Sequence, residues 1–296
     1  MNTLNHTVQK TDLAVLLPFS GRTGENGLFH RYDGRLFIEP KLHHLFVLTL
    51  ALALWAGAAE AASQAGFGLA WAIGALFKWM PFILEGFIQN IIIGVFAMLI
   101  GSVAGAALGL MQVSLSKPVR VIGWSITQFF RNSPWLVLLF CIMLLFPFEL
   151  DLGFVIIPIP DWMKAVIGFS LPIMANLSEV VRGAVVSLPS GQWESAESLA
   201  FSRRQTMWMI ILPQCIKRMI PPWINWYCIL MMATPLCSIM GVEESVTHTV
   251  QAMNAEGDRP VLLGPFYFFL LLIHFCFTYP IARYSISLEK RYAVKI

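Results

Sequence analysis

Glu194-Ser195-Ala196-Glu197-Ser198-Leu199-Ala200, followed nine residues later by Ile210-Ile211-Leu212-Pro213, is a polar, helix-prone stretch lodged between strongly apolar segments. A membrane protein that keeps such a loop structured uses it to grip something in water. Pro189 ends the apolar segment before it. Ser190 is placed to cap a new helix, and Glu194 and Glu197 fall in its early turns, where the helix dipole favours negative charge. Trp193, Ala196, Leu199 and Ala200 are spaced three or four apart and share one face. Small residues on one side and charges on the other suit a helix that enters a groove in another protein. The same pattern also fits an amphipathic helix lying at a membrane surface.

The chain around this loop is 57% hydrophobic and 12% charged, where soluble domains carry about 25% charged residues. A water-soluble core cannot absorb that much apolar sequence at 296 residues, so the chain is an integral membrane protein. A net charge of +3 gives no electrostatic footprint for nucleic acid. Cys141, Cys215, Cys228, Cys237 and Cys276 show no paired spacing and read as free thiols in or near apolar helices, with no metal or redox use. The first 40 residues are polar, and Leu13 to Leu17 is too short for a signal-peptide core, so no cleavable signal is expected.

A helix needs about 20 apolar residues to cross a bilayer, and six segments qualify: 42–59, 82–111, 119–148, 162–188, 220–240 and 261–285. The first turns of the third are expected near the inner surface. The apolar segment 70–80 is too short to span and is expected at the outer interface, where Trp71 and Trp79 would be comfortable. The organisation expected is a cytoplasmic tail over 1–41, the first span and interfacial segment over 42–81, a transmembrane domain over 82–288 and a cytoplasmic tail over 289–296.

The lysines and arginines orient this set with both termini inside. Lys10, Arg22, Arg31, Arg35 and Lys41 then lie inside, with Lys117, Arg120, Arg131, Arg203, Arg204, Lys217, Arg218, Arg283, Lys290, Arg291 and Lys295. Only Lys78, Lys164 and Arg259 fall outside, among acidic residues such as Glu149, Asp151, Asp161, Glu243, Glu244, Glu256 and Asp258.

Gly94, Gly101, Ser102, Gly105, Ala106 and Gly109 line the second span, and small residues at such spacing let helix backbones approach closely. They fit either plain tight packing or a sliding, pore-lining surface. Pro172, Pro213, Pro221, Pro222 and Pro235 mark breaks whose freed backbone needs a neighbour or a cavity. Glu179 and Arg182 lie three apart near the inner end of the fourth span. They read as an ion pair near the headgroups or as a gate that changes with transport state. His274 reads as a packed or hydrogen-bonded residue in preference to a proton relay.

The spacing of the opening stretch resembles the E-A-A-x-x-x-G-x9-I-x-L-P loop of ABC importer permeases, and other stretches resemble that family's polar amino-acid branch. Arg131-Asn132-Ser133-Pro134 is similar to its Arg-Gly-Thr-Pro. Ser178-Glu179-Val180-Val181-Arg182-Gly183-Ala184, followed by Ser187 to Gln192, is similar to its A-E-x-x-R-G-A … S-x-P-x-G-Q run. Leu212-Pro213-Gln214 also matches, and Gly241-Val242-Glu243-Glu244 resembles its I-G-V-x-E-L. The resemblance covers 87–292. It departs at Ser195 for the second alanine of the loop, at Ala200 for the glycine, and at Met232-Ala233-Thr234-Pro235 for K-D-T-S. Glycine tolerates positive φ and allows a sharp turn after the helix, so Ala200 suggests a helix running slightly further.

The resemblance implies an all-α integral membrane protein with the type I ABC importer permease fold and a cytoplasmic coupling loop, in a bacterial plasma membrane. It implies that Gln192, Glu194, Ser195, Ala196, Leu199, Ala200, Leu212 and Pro213 couple to an ATPase, with Ala196 and Ala200 small enough to seat the helix in its groove. Arg131 and Pro134 carry a family motif of unassigned role. The partners implied are two ATPase subunits holding ATP-Mg, a second permease subunit (the same chain or a relative) and an extracytoplasmic substrate-binding protein. No cofactor is expected on this chain.

Leu188-Pro189-Ser190-Gly191-Gln192 resembles the LSGGQ signature of ABC ATPases, but with proline where that motif has serine. The sequence has no G-x-x-x-x-G-K-[ST] phosphate loop, H-E-x-x-H pair or G-x-S-x-G elbow. Nucleotide hydrolysis is therefore expected on a partner. The rival class is an ion-gradient-driven secondary carrier, which calls for ionisable groups near mid-membrane at a repeat interface; the sequence offers few. A membrane scaffold would leave the ordered motifs unexplained.

Overall fold

The structure, a computed structural model, describes residues 68–151 and 156–292. The expected first span, 42–59, and the tail 1–41 lie outside the described residues. The first described element, α1, runs unbroken from Leu69 to Gln112. Its 44 residues make a rod of roughly 66 Å at 1.5 Å per residue, well beyond a hydrocarbon core. The segment 70–80 is therefore no separate interfacial piece; it continues into the span through Pro81. Contacts distant in sequence hold this extension in place. Ala72, Ala75 and Ile83 pack with Ala252, Met253, Leu262 and Phe266. Lys78 Nζ and Trp79 Nε1 both donate to Glu256 Oε1, at 2.6 and 2.8 Å.

The expected third span, 119–148, is not one helix. It divides into α2 (Lys117–Arg131) and α3 (Trp135–Leu145), bent by 101°. Pro134 has no amide hydrogen, and its ring disfavours helical backbone at Ser133. The chain therefore stops and restarts, with Pro134 in the N-cap position of α3. An antiparallel hairpin of β1 (Glu149–Asp151) and β2 (Ile156–Pro158) follows, with Leu150 opposite Ile157.

Helix α4 (Asp161–Val186) is the centre of the bundle: 72% of its apolar window is buried, against 28–39% in the other three long helices. The glycine stripe of α1 lies against it. A Cβ on Gly105 would stand 2.8 Å from the Met174 carbonyl oxygen, and one on Gly109 would stand 2.6 Å from Val181 Cβ. These glycines thus make a tight packing surface in which the two backbones nearly touch.

A 38-residue rod follows, over Arg203–Met240. It comprises a single turn (Arg203–Gln205), a π-helical stretch (Thr206–Ile211), α6 (Leu212–Ala233) and a 3-10 end (Thr234–Met240). Ser202 and Gln205 form a reciprocal capping box at its start. Pro213 cannot donate to the carbonyl four residues back, and the widened π turn immediately before it accommodates that loss. Last come the short α7 (Ser245–Ala255) and the long α8 (Pro260–Tyr292). Among the described residues, four helices are long and apolar enough to cross a membrane, with the bent α2–α3 pair as a fifth crossing if it counts as one.

Candidate coupling site

The polar loop folds as α5, Ser190–Ser198. Pro189 occupies the N-cap, so Ser190 is the first helical residue and its side chain makes no cap. The expected extension of the helix through Ala200 does not occur. Ala200 adopts φ +59°, the left-handed conformation usually given to glycine. The Phe201 amide donates back to the Ala196 carbonyl at 3.0 Å, and the Ala200 amide to Glu197 at 2.9 Å. These bonds satisfy the last carbonyls of α5, so alanine makes the glycine-type turn at a steric cost.

Ala196 also departs from expectation. It is 2% exposed and lies within the protein's own body, whereas Leu199 is 72% exposed. The cluster beside this loop comprises Ala184, Val185, Leu188, Ile211 and Cys215, with Trp193 and Met207 at its edge. Ala196 thus seats α5 on its own chain and is not available to a partner's groove. Leu199, the residue that closes α5, is thus left on the solvent side. Gln192, Glu194, Ser195, Glu197, Ser198, Leu199 and Ala200 form the exposed side.

Two links brace α5 against the following rod, and a third ties the end of α4 to it. Gln214 Nε2 donates to Gln192 Oε1 at 3.1 Å, joining two of the sequence motifs. The Arg203 guanidinium lies 4.1 Å from the Trp193 ring centroid. Arg218 Nη1 donates to the Ser187 carbonyl and hydroxyl at 2.9 and 2.8 Å. Leu212 is half-buried and Pro213 exposed beside the π turn. Short polar contacts thus join α5 and the end of α4 to the following rod, in addition to the chain itself.

Glu179 and Arg182 do pair on α4: Arg182 Nε and Nη2 donate to Glu179 Oε2 at 3.1 and 2.7 Å. Arg131, at the end of α2, approaches the same oxygen at 4.0 Å. With Arg120, Gln112 and Gln128 these residues line a cavity of about 620 Å3 whose walls carry one carboxylate and three arginines. Pro134 stands at the α2–α3 bend. Beneath the cavity a buried triad ties three helices together, with Gln112 Nε2 donating to Thr127 Oγ1 (3.0 Å) and Ser178 Oγ (3.1 Å), and the two hydroxyls 2.8 Å apart. Sequence reasoning missed this triad; a glutamine closing an apolar span was the available signal.

A second buried cluster, also missed, sits at the other end of α4. Glu244 is fully buried and caps α7, its Oε1 accepting from the Val246 and Thr247 amides at 2.9 and 3.1 Å. Asn90 of α1 donates to Glu244 and to Thr234, a residue of the stretch that departs from K-D-T-S. His274 Nδ1 lies 3.0 Å from the Leu270 carbonyl and its ring packs edge-on to Phe87, as a packed histidine would.

Residues 97–282 match the family described as binding-protein-dependent transport system inner membrane component. The chain is 32% identical to the probable amino-acid ABC transporter permease protein YckA of Bacillus subtilis, over 72% of this chain and 90% of that protein. It is 33% identical to the inner membrane amino-acid ABC transporter permease protein YhdY of Escherichia coli, over 64% of this chain and 50% of that longer protein. Its fold is similar to that in the crystal structure of an amino acid ABC transporter with histidines, at TM-score 0.63 and 23% identity, covering 73% of this chain and 96% of that one. A MetNI methionine ABC transporter chain in an inward-facing conformation shares the fold at TM-score 0.54 and 14% identity, over 74% and 98%. The motifs placed above lie within the matched region, and the chain belongs to the family of binding-protein-dependent transport system inner-membrane components.

Proposed function

We propose that this chain is the permease subunit of an ATP-driven amino-acid importer, forming the translocation path and coupling it to a separate ATPase. One observation carries the coupling role: α5 exposes Glu194, Ser195 and Leu199 while Ala196 and Gln192 fix it to the protein body. A large apolar side chain held 72% exposed on a braced polar helix suits a protein groove. The amino-acid class rests on the names of the relatives.

In this reading both termini are cytoplasmic and the protein lies in a bacterial inner membrane, as the lysine and arginine distribution favours. Two ATPase subunits carry ATP and Mg and perform the hydrolysis, and this chain performs none. A second permease, a copy or a relative, completes the path, and a binding protein delivers solute from outside. Closure of the ATPases moves α5, and the braces to Gln214 and Arg203 pass that motion to α6, biasing a two-state change of access. Leu199→Arg tests the reading. It should lose ATPase co-purification and transport while the permease inserts normally. Unchanged association and uptake would remove the docking role from α5.

A further inference from the structure

At the α5 end of α4, the cavity of about 620 Å3 beside Glu179 adjoins a second of about 420 Å3, and Gln112, Arg120 and Arg182 line both. Each is within the size range of a small-molecule site. Arg131 and Glu179 stand on the wall of the first, and Arg203 on that of the second. The joined walls thus carry four guanidinium groups and one carboxylate. Glu179 Oε2 accepts from Arg182 and is the atom that Arg131 approaches at 4.0 Å. Arg120 reaches a backbone carbonyl, that of Ser114, at 3.2 Å, and Arg203 lies on the Trp193 ring. Neither has a carboxylate partner among the described residues. Four guanidinium charges against one carboxylate leave a surplus of positive charge, on planar donors shaped to take a carboxylate bidentately.

Gln112 supplies an independent observation, and one of opposite polarity. It is only 5% exposed. Its Nε2 is spent on Thr127 and Ser178, while its Oε1 is buried with no hydrogen-bond partner. An amide oxygen buried without a donor is rare and costly, and this one belongs to a residue that lines both cavities. The described residues offer it no hydrogen, so a donor has to come from what fills the cleft. Glu179 Oε1 is a second acceptor with no partner among the described residues. The arginines call for an anion, and the two oxygens call for an N–H donor. An α-amino acid carries its carboxylate and its ammonium on one carbon and meets both demands. The surplus of guanidinium groups favours a second carboxylate on the same ligand.

We propose that this cleft binds an acidic α-amino acid, with its carboxylates on Arg120, Arg131 and Arg203 and its ammonium on Gln112 Oε1 and Glu179. Its place at the inner mouth of a translocation path rests on the importer reading; the binding itself does not. The test is equilibrium dialysis of the complex as purified from cells, without binding protein, against L-glutamate, glutarate and L-arginine. Saturable L-glutamate binding is expected. Glutarate lacks the ammonium, and L-arginine has a cation in place of the second carboxylate, so each should bind roughly tenfold more weakly or worse. Arg131→Gln should weaken both L-glutamate and glutarate about tenfold or more, whereas Glu179→Gln should weaken L-glutamate and leave glutarate no weaker. Absence of saturable L-glutamate binding, glutarate binding as tightly as L-glutamate, or binding unchanged in both variants overturns the proposal. Phosphatidylethanolamine retained by the wild type and lost from Arg131→Gln, with no L-glutamate bound, would give the cleft to a lipid headgroup and also overturn it. The Leu199→Arg co-purification reads docking alone. Failure of L-glutamate to bind while Leu199→Arg loses the ATPase sinks this site and leaves the coupling reading; saturable binding with docking unaffected by Leu199→Arg does the reverse.

Discussion

Asn90 grips Glu244 and the residue after it with the two ends of its side-chain amide: Nδ2 donates to Glu244 Oε2 at 2.9 Å, and Oδ1 accepts from the Ser245 amide at 3.0 Å. A fully buried carboxylate is thereby supplied with donors, and α7 is pinned to α1. Gly86 permits the approach, since a Cβ there would stand 2.8 Å from the Glu244 backbone.

Asn90→Leu removes one donor from the buried carboxylate and leaves the Ser245 amide unpaired. Each orphaned buried group costs about 1–3 kcal/mol, so a fall of several degrees in the Tm of the purified complex is expected. Asn90→Leu melting with the wild type would show the network to be of no energetic consequence.

Ala200→Gly should stabilise the loop by roughly 0.5–1 kcal/mol, because glycine reaches the left-handed region without the Cβ penalty of about 1–2 kcal/mol. Resistance of the α5 loop to limited proteolysis measures it. A loop cut faster in the variant would mean that the φ of +59° at Ala200 carries no strain.

Ala196→Arg and Leu199→Arg should fail differently. Arginine at the buried Ala196 position forces α5 off its own chain, since burying an unpaired charge costs several kcal/mol, and the loop becomes protease-sensitive. Arginine at exposed Leu199 leaves the loop intact and weakens ATPase association. A deficit of ~3 kcal/mol there is about 150-fold in affinity. Equal protease sensitivity in the two variants would contradict the burial difference.

Glu256 gives a pH dependence of known sign. Its hydrogen bonds from Lys78, then Trp79, hold its pKa below the ordinary 4.5. The stabilisation is therefore fully present above about pH 4.5 and is lost as pH falls through the lower folded value. The Tm difference between wild type and Glu256→Gln should be largest near neutrality and shrink below pH 4.5. A difference that grows on acidification would reverse the assignment.

Topology is open to labelling on a cysteine-free background. A cysteine at Asp151 should react with an impermeant thiol reagent in intact cells, and one at Glu197 should not. Labelling at Glu197 from outside would invert the proposed orientation.

The sequence by itself determined that this is a membrane chain built on helices, because apolar runs near 20 residues and the spread of lysine and arginine are local properties of composition. It also determined the family, since motifs at fixed spacings need no coordinates, and it placed Glu179 beside Arg182 because helical neighbours follow from the period alone. Tertiary structure decided what depends on partners far along the chain. It extended α1 back to Leu69 through contacts with α7, Glu256 and α8. It turned Ala196 inward and Leu199 outward, an orientation that a nine-residue helix takes from what lies beneath it. It joined Asn90 to Glu244 and Gln112 to Thr127 and Ser178, pairs invisible to periodicity because their members lie on different helices. The bend at Pro134 falls between these cases: proline marked a break, but its 101° angle was set by the packing of α2 and α3 against α4.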